Sequence, residues 1–210
     1  MRGLFITFEG VEGCGKSTQI SLLNDTLLSK GLKVVLTREP GGTQIGEKIR
    51  GLLLDVGSKG MNATTELLLY AAARAQHVAE VIRPAVKAGK IVLCDRYFDS
   101  TAAYQGAART LDGNILKKLH EIATENLVPD ITFLLDCPVK TGFERIHNQR
   151  GKEQFDRLEQ ESKDFHEKVR AGYLKLAEKE PKRFCIIDGG QGIEKIRQNI
   201  LKHVEKRLRT

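Results

Sequence analysis

The sequence predicts an open α/β fold, a doubly wound parallel sheet of about five strands with helices on both faces. Two observations carry this. Short runs of Val, Ile, Leu and Phe recur at residues 4–8, 34–36, 91–94, 131–135 and 184–187, with the length of strands and the two-sided apolar character that burial between helical layers demands. The stretches between them have helical spacing, so strand and helix alternate along the chain. At 210 residues with 40% hydrophobic content, the chain suits one core and a single domain over 1–210.

The opening "MRGLFITFEG" has a brief apolar run that turns acidic at Glu9, which fits a core strand and not a signal peptide. Helices are expected from 16 to about 28, stopping near Gly31, and from 64 through the 80s, bent or ended by Pro84. Further helical patterns cover 111–124, 139–148, 156–178 and 193–207. Between two of them, "HNQRGKEQFDR" at about 147–157 is polar, basic and glycine-bearing, the composition of a mobile lid.

No stretch approaches the ~18 apolar residues of a membrane span. Cys14, Cys94, Cys137 and Cys185 have no metal-ligand spacing, so they read as reduced thiols of a cytoplasmic protein. Cys14 stands where backbone N–H groups should converge, which would make it a labelling target. The formal net charge of +7 raises the question of nucleic acid. The bases are interleaved with acids, however, and no aromatic-rich basic strand offers a stacking surface. Small polyphosphate substrates account for the charge, with neither nucleic acid nor membrane as partner. The five histidines lie mostly on polar helical faces and receive no role.

The strongest motif is "FEGVEGCGKST". Gly10-Val11-Glu12-Gly13-Cys14-Gly15-Lys16-Ser17 matches GxxxxGK[ST] directly after an apolar strand and opens a helix that continues through Thr18. Its glycines let consecutive N–H groups and the helix N-terminus face the phosphates of ATP. Lys16 reaches the outer phosphates, and the Ser17 hydroxyl is a magnesium ligand. Such a cradle is common to GTP switches, ABC ATPases, motors and small-molecule kinases. The base-reading NKxD of GTP switches is absent, and "DGGQG" at 188–192 lacks the flanks of an ABC signature.

A second anion site is suggested by "IVLCDRYFDSTAAYQG", where a strand delivers Asp95, Arg96 and Tyr97 to the carboxyl edge of the sheet, the ligand-binding edge of such folds. Asp95 could hold magnesium and Arg96 could sit between two phosphates; an ion pair fixing a loop is the plainer alternative. "TREPGGT" brings Arg38 and Glu39 after the second strand. Tyr70 and Arg74, four residues apart, share a helix face, forming either a base pocket or ordinary core with a snorkelling neighbour.

Together, "FEGVEGCGKST", "TREPGG", "LLYAAARAQH", "VLCDRYFDSTAAYQG" and "DRLEQES" resemble bacterial-type thymidylate kinases, which are P-loop nucleoside monophosphate kinases, over nearly the whole chain. The resemblance implies a P-loop kinase fold, transfer of the γ-phosphoryl of ATP to dTMP with Mg2+ in the synthesis of dTTP, and a homodimer. It places Glu12 at the deoxyribose 3'-hydroxyl, Tyr70 as the stacking ring, and Arg74 and Gln105 at the thymine edge. Arg50 and Arg96 hold the acceptor phosphate, Tyr104 crowds the 2' position, and Glu39 and Ser100 complete the substrate set. Lys16 and Arg96 act in catalysis with an arginine that some relatives carry in the P-loop. This loop has none, so the lid must supply it, with Arg150 the first choice and Arg145 and Arg157 its rivals. Two alternatives stay open: a kinase of another nucleoside monophosphate or a deoxynucleoside, and an ATP-dependent regulatory protein. Against the regulator stand Arg38, Arg50, Arg74 and Arg96, more acceptor-side cations than a switch requires.

Overall fold

The computed structural model describes residues 3–109, 111–150 and 155–208, with the backbone alone at 149 and 150. Five parallel strands form one sheet: β1 (Phe5–Glu9), β2 (Val34–Arg38), β3 (Ile91–Asp95), β4 (Ile131–Asp136) and β5 (Phe184–Asp188), in the order β2-β3-β1-β4-β5. Every expected strand is present, most of them one or two residues longer at the carboxyl end. Central β1, β3 and β4 are buried almost throughout, whereas the edge strands β2 and β5 are only partly covered. Alternation divides β1 between two apolar layers, with Phe5 packed beside Val78, Ile82 and Tyr97, and Ile6 and Phe8 in the larger core.

After β3 the chain crosses β1 to reach β4, so the winding direction reverses beside β1. Open α/β sheets bind ligands at such a reversal, outside the carboxyl ends of the strands. The register puts Asp95 opposite both Phe8 and Arg38. Glu9, Arg38 and Asp95 thereby reach one rim.

Helix α1 (Lys16–Ser29) begins after Gly15, and Gly31 follows it with a φ of 75°. Helix α2 (Gln44–Leu54) was not expected; the Thr43 side chain caps it by accepting from the Gly46 N–H. Helix α3 (Ala63–His77) is capped by Asn62 and runs through wide π-type turns at Val78–Ile82 into α4 (Arg83–Lys87). Pro84 therefore does not end the helical path. It sits in the first turn of α4, where a missing N–H costs least, and the wide turns absorb the change of pitch.

A short α5 (Phe98–Thr101) opens into another wide π-type segment, Ala102–Ala108, also unexpected, and α6 (Gly113–Thr124) follows under an Asp112 cap. Helices α7 (Val139–Arg150), α8 (Lys163–Lys179) and α9 (Ile193–Leu208) complete the chain. Helix α8 starts later than its apolar pattern implies. Asp156 accepts from the Leu158 and Glu159 N–H groups in a tight turn, and Ser162 caps the helix from Phe165 N–H. Of the expected lid, 147–150 close α7 and 155–157 enter that turn, while 151–154 lie outside the described residues. No helix among the described residues is long and apolar enough to cross a membrane.

Candidate active site

Two clefts meet on the rim above β1 and β3. The first, about 600 Å³, is lined by 13–19 of the glycine-rich loop together with Arg145, Ile146, Gly189, Gln191, Ile193 and Ile196. Gly10, Gly13 and Gly15 have φ values of 136°, 70° and 100°, a region that favours glycine. Close approach adds to this at Gly13, where a Cβ would stand 2.0 Å from the Gly142 carbonyl oxygen. The backbone of α7 thus lies directly on the loop, and Arg145 donates to the carbonyls of Gly13 and Gly189 at 3.4 and 3.1 Å.

Lys16 is nearly buried, and its ammonium donates to the carbonyls of Gly10 and Val11, each at 3.1 Å. The Ser17 hydroxyl donates to Asp95 Oδ2 at 3.3 Å, and Asp95 Oδ1 is buried without a hydrogen-bond partner among the described residues. Hydroxyl and carboxylate together form a hard oxygen pair suited to Mg2+. Cys14 is 1% exposed, which corrects its reading as a labelling target: the thiol packs into the core beneath the loop.

The second cleft gathers Glu12, Glu39, Arg50, Tyr70, Arg74, Arg96, Ser100, Tyr104 and Gln105, with Asp156 and Leu158 from the turn before α8. Every residue that the resemblance puts at the substrate lines it, whereas Arg38, counted among the acceptor-side cations, lines the connecting cleft described below. Arg74 is buried, donating from Nε to Glu39 at 2.7 Å and from Nη2 to Tyr97 O and Thr101 Oγ1. Its Nη1 has no partner among the described residues. A buried guanidinium that lines a pocket and keeps one donor unpartnered can read a carbonyl or other acceptor.

Arg96 adopts a φ of 70°, unusual for a residue with a side chain and a form of strain that gathers at functional sites. Its N–H donates to Phe8 O at 2.9 Å, and the next N–H, of Tyr97, donates to Glu9 Oε1 at 2.7 Å. The guanidinium reaches Glu12 at 2.8 Å and Tyr173 at 3.0 Å. Glu12 also accepts from the Tyr104 hydroxyl at 2.5 Å. Burial alone would raise the Glu12 carboxyl, but Arg96, with His166 and Lys16 behind it, holds it well below the usual carboxylate range. For Arg50, burial first and then the neighbouring Arg38 weaken its hold on its proton, the mark of crowded positive charge.

Between these clefts a third, lined by Glu12, Lys16, Ser17, Arg38, Arg50, Asp95 and Arg96 among others, joins one to the other. The structure separates the three candidate lid arginines. Arg145 touches the loop, as above. Arg157 is buried, donating to Leu53 O at 2.8 Å and Glu66 at 2.5 Å, so it ties the turn before α8 to α2 and α3. Arg150 ends α7, and its side chain lies outside the described residues. Gln105 is turned toward Glu66, donating at 2.8 Å.

Four contributors were missed in the sequence. Glu9 and Tyr173 underlie Arg96. His77 and His166, taken for polar-face residues, are fully buried: His77 lies 3.0 Å from Glu39, and His166 lies 3.5 Å from Glu12. An acid closing an apolar run was the only available signal for Glu9. For Tyr173 and His166 the apolar period of α8 was a signal of burial, not of function.

Comparison with known proteins agrees with this geometry. The family model described as thymidylate kinase matches residues 8–200. Among curated relatives, the chain is 54% identical over 210 residues to thymidylate kinase of Geotalea uraniireducens, covering 98% of each. It is 54% identical over 195 residues to that of Geobacter sulfurreducens, covering 91% of this chain and 92% of the relative. The crystal structure of thymidylate kinase from Ehrlichia chaffeensis superposes with a TM-score of 0.79 at 33% identity, covering 97% of this chain and all of that one. A family match over residues 8–200 and relatives 54% identical over nearly the whole chain show that the chain belongs to the thymidylate kinase family.

Proposed function

We propose that the protein transfers the γ-phosphoryl of ATP to dTMP, giving dTDP and ADP. The observation that carries this reading is the pair of clefts joined above β1 and β3, one built on a phosphate-binding loop and the other around Arg74 and Arg96. ATP lies in the first with its phosphates against 10–18 and its outer phosphates at Lys16. dTMP lies in the second, where the unspent Nη1 of Arg74 reads a thymine carbonyl, Tyr70 stacks, Arg50 and Arg96 hold the phosphate, and Glu12 meets the 3'-hydroxyl. Tyr104, bonded to Glu12, crowds the 2' position, and Glu39, Ser100 and Gln105 hold the pocket's shape.

Ser17 and Asp95 are the residues that would hold Mg2+, and the buried, partnerless Asp95 Oδ1 supports this. The ion supplies charge neutralisation along the phosphates. The side chains do the remaining work by position, because phosphoryl transfer needs alignment and charge more than covalent chemistry. Lys16 and the lid arginine face the charge that develops on the moving group, and Arg96 fixes the acceptor oxygen in line. Arg150 remains the proposed lid arginine, with Arg145 its rival because it already touches the loop. The 147–157 segment acts as the lid within a single 1–210 domain, its described ends bordering both clefts through α7 and Asp156.

A homodimer is the proposed assembly. Leu68 on α3 and Ile115 and Ile122 on α6 are 51%, 55% and 73% exposed on helices that pack against each other, and Ile115 and Ile122 share one helix face. A cytoplasmic location fits the four free cysteines. The test is an acceptor panel: dTMP, dCMP, dGMP and thymidine with ATP and Mg2+ in a coupled assay. Rapid turnover of dTMP alone is expected. Turnover of another acceptor at a higher rate would reassign the pocket, and ATP binding with no affinity for any monophosphate would favour the regulator.

A further inference from the structure

Beneath Arg96 lies a buried relay that phosphate binding does not itself require. Glu9 is fully buried at the end of β1. Its Oε1 accepts from the Tyr97 N–H at 2.7 Å, and its Oε2 accepts from the Ser100 hydroxyl at 2.6 Å and the Tyr173 hydroxyl at 2.8 Å. The two hydroxyls lie 2.8 Å apart. Arg96 Nη1 in turn donates to Tyr173 at 3.0 Å and to Ser100 at 3.4 Å.

Donor and acceptor capacities fix the direction of this chain. A hydroxyl has one proton and two lone pairs. If Ser100 and Tyr173 each spend the proton on an ionised Glu9, their lone pairs are turned to Arg96, and its Nη1 edge is held. If Glu9 is protonated, it donates to one of those hydroxyls, whose own proton then turns to the other hydroxyl 2.8 Å away, and that oxygen divides its two lone pairs between Glu9 and Arg96, so its hold on Nη1 weakens. The Nη2 edge stays on Glu12 in either case.

We propose that Glu9 is a positioning residue for Arg96, acting through the hydroxyls of Ser100 and Tyr173 to aim the guanidinium at the acceptor phosphate. Tyr173 brings α8 into the relay, and on the same helix face one heptad earlier His166 meets Glu12. Helix α8, which follows the lid, therefore touches both acids that flank Arg96. Burial, then the nearby Asp99, push the Glu9 carboxyl up to about 7 against the pull of Arg96, Ser100 and Tyr173. The ionisable groups facing it are Arg96 and Cys94 on and after β3, Asp99 on α5 with its partner Arg183 before β5, and Tyr173 on α8. The relay's working direction is thus complete above neutral pH and fails below it.

The inference rests on Arg96 binding the acceptor phosphate, so three variants are compared: Glu9→Gln, Tyr173→Phe and Arg96→Ala, with dTMP and ATP varied from pH 5.5 to 8.5. Glu9→Gln and Tyr173→Phe are expected to raise KM for dTMP by about 10- to 100-fold at pH 8, the usual consequence of losing a hydrogen bond to a charged group, while KM for ATP stays within about twofold. In wild type, kcat/KM for dTMP should fall below pH 7 more steeply than the ionisation of the substrate phosphate near 6 accounts for. That extra limb should vanish in Glu9→Gln. A merely structural Glu9 would lower thermal stability without moving KM for dTMP selectively or removing the limb, and this result would overturn the proposal. If Arg96→Ala leaves KM for dTMP unchanged, the acceptor reading itself fails. If Arg96→Ala raises it and the relay variants do not, only the relay fails. Should Glu9→Gln not fold, Tyr173→Phe, which keeps the ring, decides by its KM split alone.

Discussion

The two clefts proposed for donor and acceptor are built by different means. The first cleft is built on a contiguous loop whose backbone N–H groups would face the phosphates, with Lys16 and Arg145 supplying side-chain charge. The second cleft is assembled from the segments after β1, β2 and β3, from α2, α3, α5 and the wide segment that follows it, and from the turn before α8, and its polar atoms are side chains held by other side chains: Arg74 by Glu39, Glu39 by His77, Arg96 by Glu12 and Tyr173. A loop of bare backbone can be formed by local geometry and is general for triphosphates. A side-chain network must be paid for by folding, and in return it discriminates among acceptors. Damage to the first should therefore cost turnover, and damage to the second should cost stability as well.

The largest effect should come at the junction, where neither cleft acts alone. Arg150→Ala is expected to lower kcat by about 10³ to 10⁵ with little change in KM for dTMP, the size of an arginine-finger loss. Rapid single-turnover measurements on Arg150→Ala and Arg145→Ala would assign the role, and transfer to Arg145 follows if only its variant shows the drop. The contrast between clefts is sharpest in urea unfolding of Arg74→Ala and Lys16→Met. Removing Arg74 leaves Glu39 buried with only His77 beside it and should cost about 3–5 kcal/mol. Removing Lys16, whose ammonium donates to two carbonyls, should cost about 1.5–3 kcal/mol of stability, while turnover falls about 10²–10³-fold. Equal stability losses would erase the distinction.

A smaller effect isolates the buried acid within the network. Because burial raises the Glu9 carboxyl from 4.5 to about 7 in the folded protein, its contribution to stability is complete below about 4.5 and is lost as pH rises through 7. Wild type should thus lose on the order of 3 kcal/mol between pH 4.5 and 8 from this group, and Glu9→Gln should not. Parallel stability curves for the two would place the proton elsewhere. The smallest effect concerns the base. Reading the thymine methyl is worth about 1–3 kcal/mol, so dUMP should fall about 10- to 200-fold below dTMP in kcat/KM.

The same contrast explains how much could be read before folding. Strands and the donor loop are local: apolar runs and GxxxxGKS declare themselves over a few residues, and all five strands appear within a residue or two of their expected bounds. The acceptor residues were legible only as a family pattern, because nothing in the spacing of Glu12, Tyr104 and Arg96 states that they will touch. Helix α2 and the wide turn at Ala102–Ala108 escaped notice. The first has two exposed apolar positions, Ile45 and Leu52, that blur its apolar face, and the second has a π-type pitch that a 3.6-residue period does not detect. His77 and His166 read as residues of polar helix faces, and Tyr173 carries no functional signal, because tertiary contacts decide which polar groups of a helix are buried and what they meet.

Direct transfer between two simultaneously filled clefts is tested most directly by a bisubstrate mimic, adenosine joined through phosphates to thymidine, titrated by calorimetry into wild type, Lys16→Met and Arg74→Ala. One mimic per chain should bind, far more tightly than ADP or dTMP alone, and either substitution should weaken it. A mimic bound no better than ADP, or indifferent to Arg74→Ala, would mean that its thymidine end never enters the acceptor cleft while its adenosine end is held.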